Sequence, residues 1–418
     1  MYNRIMKIVH FADLHIGVEN YGTIDPDTGL SSRLNDFLKV FDELVSYSIN
    51  QQVDLVILAG DVYKSRDPSQ THQREFAKRI SRLTEEGIPT FVVVGNHDLP
   101  NSSNRATAVE IFPTLNVDGI YIGDTIKTYT IPTNSGPIQI LALPWPRKGS
   151  LLSKEDTKGL NIDQVRMELE RRLTNGIRDC AESLDTSTPA ILVGHVTVNG
   201  ATVGSERSMM MGNDHTLLVS SLQYPAIDYV ALGHIHKHQI VSSNHPQIVY
   251  SGSLERVDFS EEKDDKGFCV ITLDEKASAT SRVTDFEFVR VNARKFLTID
   301  ISVPQDTGDP NSYISFQLST HEIAEAIVRV RIKLPSNLYP LIDERIIRDS
   351  LSTSQFVANI TYESTAERRP SIPIETAQEI DPMKALELYV QNRNDLQELE
   401  TDFLEAGQRI INSVNSKE

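Results

Sequence analysis

Cysteine is almost absent from this chain: two in 418 residues, Cys180 and Cys269, far apart and in no paired motif. That excludes a disulfide framework and a thiolate-held structural zinc, and reduced thiols in a cytoplasmic protein are the economical expectation. Long apolar runs are missing too. Residues 1–20 lack a signal-peptide core and no stretch is long enough to cross a bilayer, so no membrane partner is expected. No internal repeat or low-complexity tract interrupts the chain. Positive charge is also short, with 41 Lys and Arg against 58 Asp and Glu, a formal −17. The length exceeds one ordinary core, so two or three domains are expected.

What is present is a set of hard metal ligands. Five short clusters occupy the first 236 residues: Asp13-Leu-His15, Gly60-Asp61, Gly95-Asn96-His97-Asp98, Gly194-His195 and Gly233-His234-Ile-His236. Each follows an apolar run, such as Asp54-Leu-Val-Ile-Leu-Ala59 or Tyr229-Val-Ala-Leu232, whose length and β-branched content suit a buried strand. A single Gly-Asp is ordinarily a turn, and a single strand-end histidine is ordinarily structural. Five such clusters at strand ends can converge on one edge of a sheet, where open α/β folds place their sites.

Asp13, His15, Asp61, Asn96, His195, His234 and His236 together match a binuclear centre. Two divalent ions about 3.5–4 Å apart can clamp the attacking and leaving oxygens of a phosphoryl displacement. If Asp61 bridges, each ion receives four side chains. The mixture of imidazole, carboxylate and amide oxygen suits Mn2+, Fe2+ or Zn2+ better than Mg2+. His10, His72, His215, His238, His245 and His321 fall outside the pattern and read as structural or exposed.

These motifs resemble the signature of the calcineurin-like metallophosphoesterases. Ile8-Val-His-Phe-Ala-Asp-Leu-His-Ile-Gly17, Tyr229-Val-Ala-Leu-Gly-His-Ile-His236, Ile248-Val-Tyr-Ser-Gly-Ser-Leu254 and Gly204-Ser-Glu206 narrow the likeness to SbcD-type nucleases. Those are bacterial relatives of the meiotic-recombination-eleven double-strand-break repair nuclease. The resemblance implies an α/β fold of two mixed β-sheets sandwiched and flanked by helices, with a small α+β capping domain and C-terminal helices. It implies a DNA exonuclease and endonuclease acting on double-strand ends, hairpins and single strands, a homodimer, and an SbcC-like SMC-type ATPase partner. A cytoplasmic, nucleoid-associated place follows.

On this reading Asp13, His15, Asp61 and His236 hold one ion, and Asp61, Asn96, His195 and His234 the other. Mn2+ is the expected metal, and a hydroxide held between the ions is the expected nucleophile. His97 would stabilise the transition state or protonate the leaving oxygen. Asp98 would fix the backbone turn or orient His97. Lys64 stands where relatives carry Asp or His; an ammonium has no acceptor, so it cannot orient His97 in the phosphatase manner. Lys64, Arg66, Arg105 and Arg207 are the expected substrate contacts, with Arg147, Lys148, Lys237 and Arg256 also on the rim.

The domains are expected at 1–285 for the phosphoesterase, 286–370 for the DNA-capping unit and 371–418 for a linker and helical partner-binding segment. Their net charges are about −10, −1 and −6. A basic rim on so acidic a body would hold DNA weakly and with high salt sensitivity, which favours dependence on a partner. Arg329, Arg331 and Lys333 alternate along one strand of the second unit and could add DNA contacts. In the third, Leu396, Leu399, Phe403, Ile410 and Val414 form an apolar stripe interrupted by Gly407, and residues 375–418 are the expected docking segment. Two other readings are compatible: a phosphoesterase for small phosphodiesters or phosphoproteins, and a non-enzymatic DNA-end scaffold.

Overall fold

The computed structural model describes residues 5–100, 105–147, 152, 156, 158–204, 216–278, 280–364, 382–391 and 400–415. Two compact units form: Met1–Leu334 with Leu338–Glu363, and Pro335–Asn337 with Ser364–Glu418.

Two six-stranded mixed sheets make the body of the first unit. One contains β1 (Ile5–Phe11), β2 (Leu55–Leu58), β3 (Thr90–Val93), β4 (Ile120–Gly123), β13 (Gly267–Asp274) and β14 (Val283–Arg290), in the order β14-β13-β1-β2-β3-β4. The other contains β5 (Lys127–Thr133), β6 (Gly136–Leu143), β7 (Ala190–His195), β10 (Tyr229–Gly233), β11 (Gln239–Ser242) and β12 (Gln247–Tyr250), in the order β11-β12-β10-β7-β6-β5. A short pair, β8 (Thr197–Val198) with β9 (Thr216–Leu217), follows β7.

Both faces of the first sheet are covered at its centre, so β2 and β3 read as continuous buried runs. Met6 and Ile8 of β1 face the second sheet, among Ile57, Phe91, Ile140, Val193 and Ala231. Val9 and Phe11 face the opposite way, onto α1 (Ser32–Asn50) and α2 (Gln70–Glu85). The stripe of α1 is the expected one: Leu34, Phe37, Leu38, Phe41, Leu44 and Val45 are all buried. A short helical turn, α3 (Ile111–Thr114), precedes β4. The second sheet is backed by α4 (Ile162–Glu182), whose Val165, Leu169, Leu173, Ile177 and Ala181 recur every fourth residue.

β1, β2, β3 and β4 pair in parallel, as do β6, β7 and β10. Register joins Phe11 to Leu58 and His195 to Gly233. The ligand-bearing strands therefore all end on one edge of the sandwich.

A third sheet, β15 (Phe296–Ser302), β16 (Ile327–Leu334) and β17 (Phe356–Ser364), carries α5 (Pro310–Ser319) and α6 (Glu344–Ser350). β15 and β16 are parallel, with α5 in the connection between them. No apolar periodicity marks α5, although Asp309 caps it and Pro310 opens it. β14 stays paired with β13 to Arg290, so the first sheet runs past residue 285. The junction is polar and tight. Arg294 pairs with Asp36 on α1, the Glu262 carboxylate accepts from the Thr298 amide and hydroxyl, and Tyr21, Phe259 and Phe296 pack edge to face.

In the second unit, α7 (Pro382–Gln391) and α8 (Glu400–Asn415) pack together, and Leu386 occupies the space a side chain at Gly407 would need. Phe403 and Ile410 are exposed; Leu396 and Leu399 lie outside the described residues. No described helix is long and apolar enough to cross a membrane.

Candidate metal centre

The seven expected ligand side chains meet at the joined sheet edge as a continuous arc. His15 Nε2 lies 3.0 Å from His236 Nε2. Asp61 Oδ2 lies 3.8 Å from His15 Nε2 and 3.3 Å from His195 Nε2, a bridging position. Asn96 Oδ1 is 3.0 Å from His195 Nε2 and 3.2 Å from His234 Nδ1. Asp13 sits behind, its carboxylate accepting the His234 amide. Potential donor atoms of Asp13, His15 and His236 fall within 4.8 Å of one another, as do those of Asp13, Asp61 and His195. His15, Asp61 and His97 form a third such group, so distance alone does not keep His97 out of the ligand set.

The outer nitrogens suit this arrangement to cations. His195 Nδ1 is 2.7 Å from the Ala59 carbonyl and His236 Nδ1 is 2.7 Å from Glu261 Oε1, which places their protons outward and their Nε2 lone pairs inward. His15 Nδ1 is buried without a hydrogen-bond partner, while its Nε2 faces another imidazole nitrogen. Converging lone pairs and carboxylates in a buried space fit divalent ions and little else.

Burial pushes the Asp13 carboxyl up to about 6 despite the pull of His195 and His236. Burial would raise Asp61 as well, but His195, His15 and His97 outweigh it and hold its carboxyl well below the usual range. For His195 burial opposes charge, yet Asp61 and Asp13 prevail and carry it to about 9. His15 is held well below its ordinary value, chiefly by burial.

The backbone is as specialised as the side chains. Asp13, His15, Asp61 and His234 all have positive φ, at 52°, 45°, 55° and 93°. Non-glycine residues rarely adopt that region, and such strain gathers at functional sites.

The Asp98 carboxylate is taken up by the backbone. Its Oδ2 accepts from the amides of Asp61 and Gly95, and its Oδ1 from those of Val62 and Tyr63. Four backbone donors saturate the buried carboxylate, so it positions the second and third motif loops and does not orient His97. The Lys64 carbonyl does that, accepting from His97 Nδ1 at 2.9 Å. An ammonium has no acceptor for this role, and the backbone oxygen of Lys64 fills it whatever the side chain. The Lys64 charge helps burial lower the pKa of His97.

The expected rim is only partly free. Arg105 pairs with Asp67 at 3.2 Å, both exposed. Arg256 is spent on the carbonyls of Glu261, Arg294 and Asp264 and is structural. Arg331 is bidentate with Asp300 and Lys333 pairs with Glu363, while Arg329 lies over Phe259 and donates to Thr298 Oγ1. Arg66 is exposed on the loop after β2. Arg207, Lys148 and Ser205-Glu206 lie outside the described residues.

Two features escaped the sequence reading. Lys266, fully buried, bonds Glu261 Oε2 and Ser253 Oγ at 2.7 Å and the His236 carbonyl at 3.0 Å. Burial would raise the Glu261 carboxyl, but Lys266 and His236 hold it far below the usual range. In sequence, Glu261-Glu-Lys-Asp-Asp-Lys266 looks like a solvated turn. The second is Trp145, whose ring packs on His234 at 4.7 Å between centroids. An isolated tryptophan between prolines carries no motif that would mark it.

Comparison with known proteins bears on this arrangement. The model of the calcineurin-like phosphoesterase family matches residues 6–238. The chain is 28% identical over 271 residues to the SbcD protein of the SbcCD nuclease from Staphylococcus epidermidis, covering 64% of this chain and 66% of that one. It is 28% identical over 264 residues to the protein of the same name from Bacillus subtilis, covering 61% and 63%. It is 26% identical over 328 residues to the DNA double-strand break repair protein Mre11 of Methanosarcina mazei, covering 78% and 45%. The matched regions span less than two thirds of each of these relatives.

If Glu261 tunes His236 as a ligand, Glu261→Gln should weaken Mn2+ binding about 10–100-fold by calorimetry. Adding Lys266→Met removes the stranded charge and keeps the fold testable. Unchanged affinity in the double variant would leave Glu261 a purely structural residue.

Proposed function

We propose that this chain, which belongs to the calcineurin-like phosphoesterase family, is a metal-dependent DNA nuclease. On this proposal it is the nuclease component of an SbcC–SbcD-like double-strand-break processing complex. The observation that carries the reading is the arc of donors centred on Asp61 Oδ2, between His15 and His195. The names of the relatives supply the substrate. A small-substrate phosphatase has less support, because nothing in it calls for the third sheet or the C-terminal helices.

Asp13, His15, Asp61 and His236 would hold one divalent ion, and Asp61, Asn96, His195 and His234 a second, with Mn2+ the favoured metal. Bound ions of this kind supply Lewis acidity toward a phosphoryl oxygen and bring the pKa of water near neutrality. The protein's own part is placement. Asp98 holds the loops of Asp61 and Gly95, and the Asp61 carboxylate in turn accepts the His97 amide at 2.8 Å. With Nδ1 donating to the Lys64 carbonyl, His97 keeps Nε2 as its second site, which would stabilise charge or deliver a proton to the leaving oxygen in the imidazolium form. Lys64 and Arg66 are the proposed phosphate contacts on the described rim, with Arg105 beside them.

The third sheet region is proposed to cap the site and guide DNA. Residues 375–418 are proposed to dock on the coiled coil of an SMC-type ATPase, supported by the exposed Phe403 and Ile410. Exposed Ile111, Leu115 and Val117 beside α3 support a homodimer. Free Cys180 and Cys269 and a DNA substrate support a cytoplasmic place on the nucleoid.

Asp61→Asn should abolish Mn2+-dependent DNA cleavage while the circular dichroism spectrum stays unchanged. His97→Asn should keep both ions, counted by mass spectrometry, and lose about 10²–10⁴-fold in kcat. Loss of an ion in the His97 variant would instead make His97 a ligand.

Lys64→Met should raise KM for DNA and flatten its dependence on salt, with metal content constant. Identical kinetics across a salt series would remove Lys64 from the interface.

Deleting residues 375–418 should spare Mn2+-dependent cutting of single strands and end co-elution with the ATPase. An insoluble truncation would assign these helices to the core.

A further inference from the structure

We propose that Trp145 and Arg147 form a nucleobase pocket beside the metal centre, which receives a base next to the phosphate being cut. The inference rests on the nuclease reading and extends it to a part of the substrate that no metal ligand touches.

The loop Pro144-Trp145-Pro146-Arg147 leaves β6 at the sheet edge where the ligands meet. Prolines on both sides of Trp145 restrict its backbone, and its amide donates to the Val94 carbonyl at 2.9 Å. Val94 immediately precedes Gly95-Asn96-His97-Asp98, so the indole is tied to the third ligand loop. Its ring lies tilted at 44° to His234 with centroids 4.7 Å apart, and edge-on to His195 at 6.1 Å. Beyond it opens a cavity of about 240 Å³ lined by Asp124, Thr125, Ile126, Trp145, Arg147 and Leu173, and by neither histidine. The indole is thus a wall shared by the metal centre and this cavity.

Three properties fit a base rather than a sugar or a phosphate alone. The lining combines apolar faces, from Ile126, Leu173 and the indole, with polar groups of both kinds, from Asp124, Thr125 and Arg147. The volume is below the roughly 300–1,000 Å³ of sites for larger small molecules, which leaves room for a single flat ring system. Neither the indole N–H nor the Arg147 guanidinium has a hydrogen bond or ion pair among the described residues. Stacking on an aromatic face tolerates every base, and an adjacent guanidinium adds a cation–π contribution. Such a pocket therefore positions the strand without demanding a sequence.

Because Trp145 is the single tryptophan, its fluorescence reports on the wall shared by this pocket and the metal centre. The full chain is titrated in EDTA with 2′-deoxynucleoside 5′-monophosphates and, separately, with 2-deoxyribose 5-phosphate. Saturable quenching by the nucleotides only, weakened by Arg147→Ala, is the expected result. No quenching, or equal quenching by the base-free sugar phosphate, overturns the proposal.

A second arm uses Mn2+-dependent cutting of oligonucleotides in which one abasic position is moved along the strand. At one position next to the cut, wild type should show KM raised about 5–150-fold by the missing base, a ratio that falls toward one in Trp145→Leu. A ratio that persists in the variant makes the indole a packing partner of His234 only, since a disturbed ligand would slow both substrates alike. If wild type cuts no DNA at all, the nuclease reading has failed, and the fluorescence titration still judges the pocket. The wild-type titration also decides the matter if the variant does not fold.

Discussion

The site depends on how closely the two sheets approach at their common edge. At Gly233 a Cβ would overlap the Ala59 carbonyl, and at Gly60, where φ is +92°, it would overlap the His195 ring. These absences let the loops after β2, β7 and β10 interleave until their donors lie within about 3–4 Å. The approach forces Asp13, His15, Asp61 and His234 into left-handed backbone, at a cost on the order of 1–3 kcal/mol each. Asp98 is the counterweight. Its four accepted amide bonds hold two of the loops in place, and the Asp13 and His15 amides bond the carbonyls of Gly60 and Asp61.

Electrostatics explains why the centre is polar to such depth. Asp13, Asp61 and Asp98 are buried within one small volume, and water is excluded from most of it. Buried like charges are tolerable only with cationic or hydrogen-bonded compensation. Asp98 has it from the backbone, and Glu261 from Lys266 and His236. Asp13 and Asp61 face the converging histidines, where divalent ions would complete the balance. The same logic bears on the surface. Arg331 and Lys333 of the third sheet are matched by Asp300 and Glu363.

The polar junction at Arg294 has a related consequence. Arg294 joins Asp36 of α1 to Glu325 before β16, and Arg33 reaches the same Asp36. Ionic and aromatic contacts around Tyr21, Phe259 and Phe296 make the third sheet region continuous with the phosphoesterase body. The border expected at residue 285 falls inside β14, which pairs with β13 as far as Arg290.

Local pattern alone was enough for the ligand types, their order, and the strands that deliver them. Apolar runs with helices between them dictate parallel pairing, and parallel strands must end on one edge. The stripe of α1 was legible because 3.6-residue spacing is a property of neighbours in the chain. The β5–β6 hairpin and α5 were less visible, although Asp309-Pro310 carries the local signal for the helix. What no local pattern could reveal were partnerships across long separations. The hydrogen bond from His97 to the Lys64 carbonyl, the bond between His236 and Glu261, and Trp145 against His234 all join residues from different loops. Nor could residue type tell a solvent-facing Arg256 from one donating to three carbonyls. Side-chain chemistry is written in the sequence; which neighbour consumes it is decided only when the chain folds and water is removed.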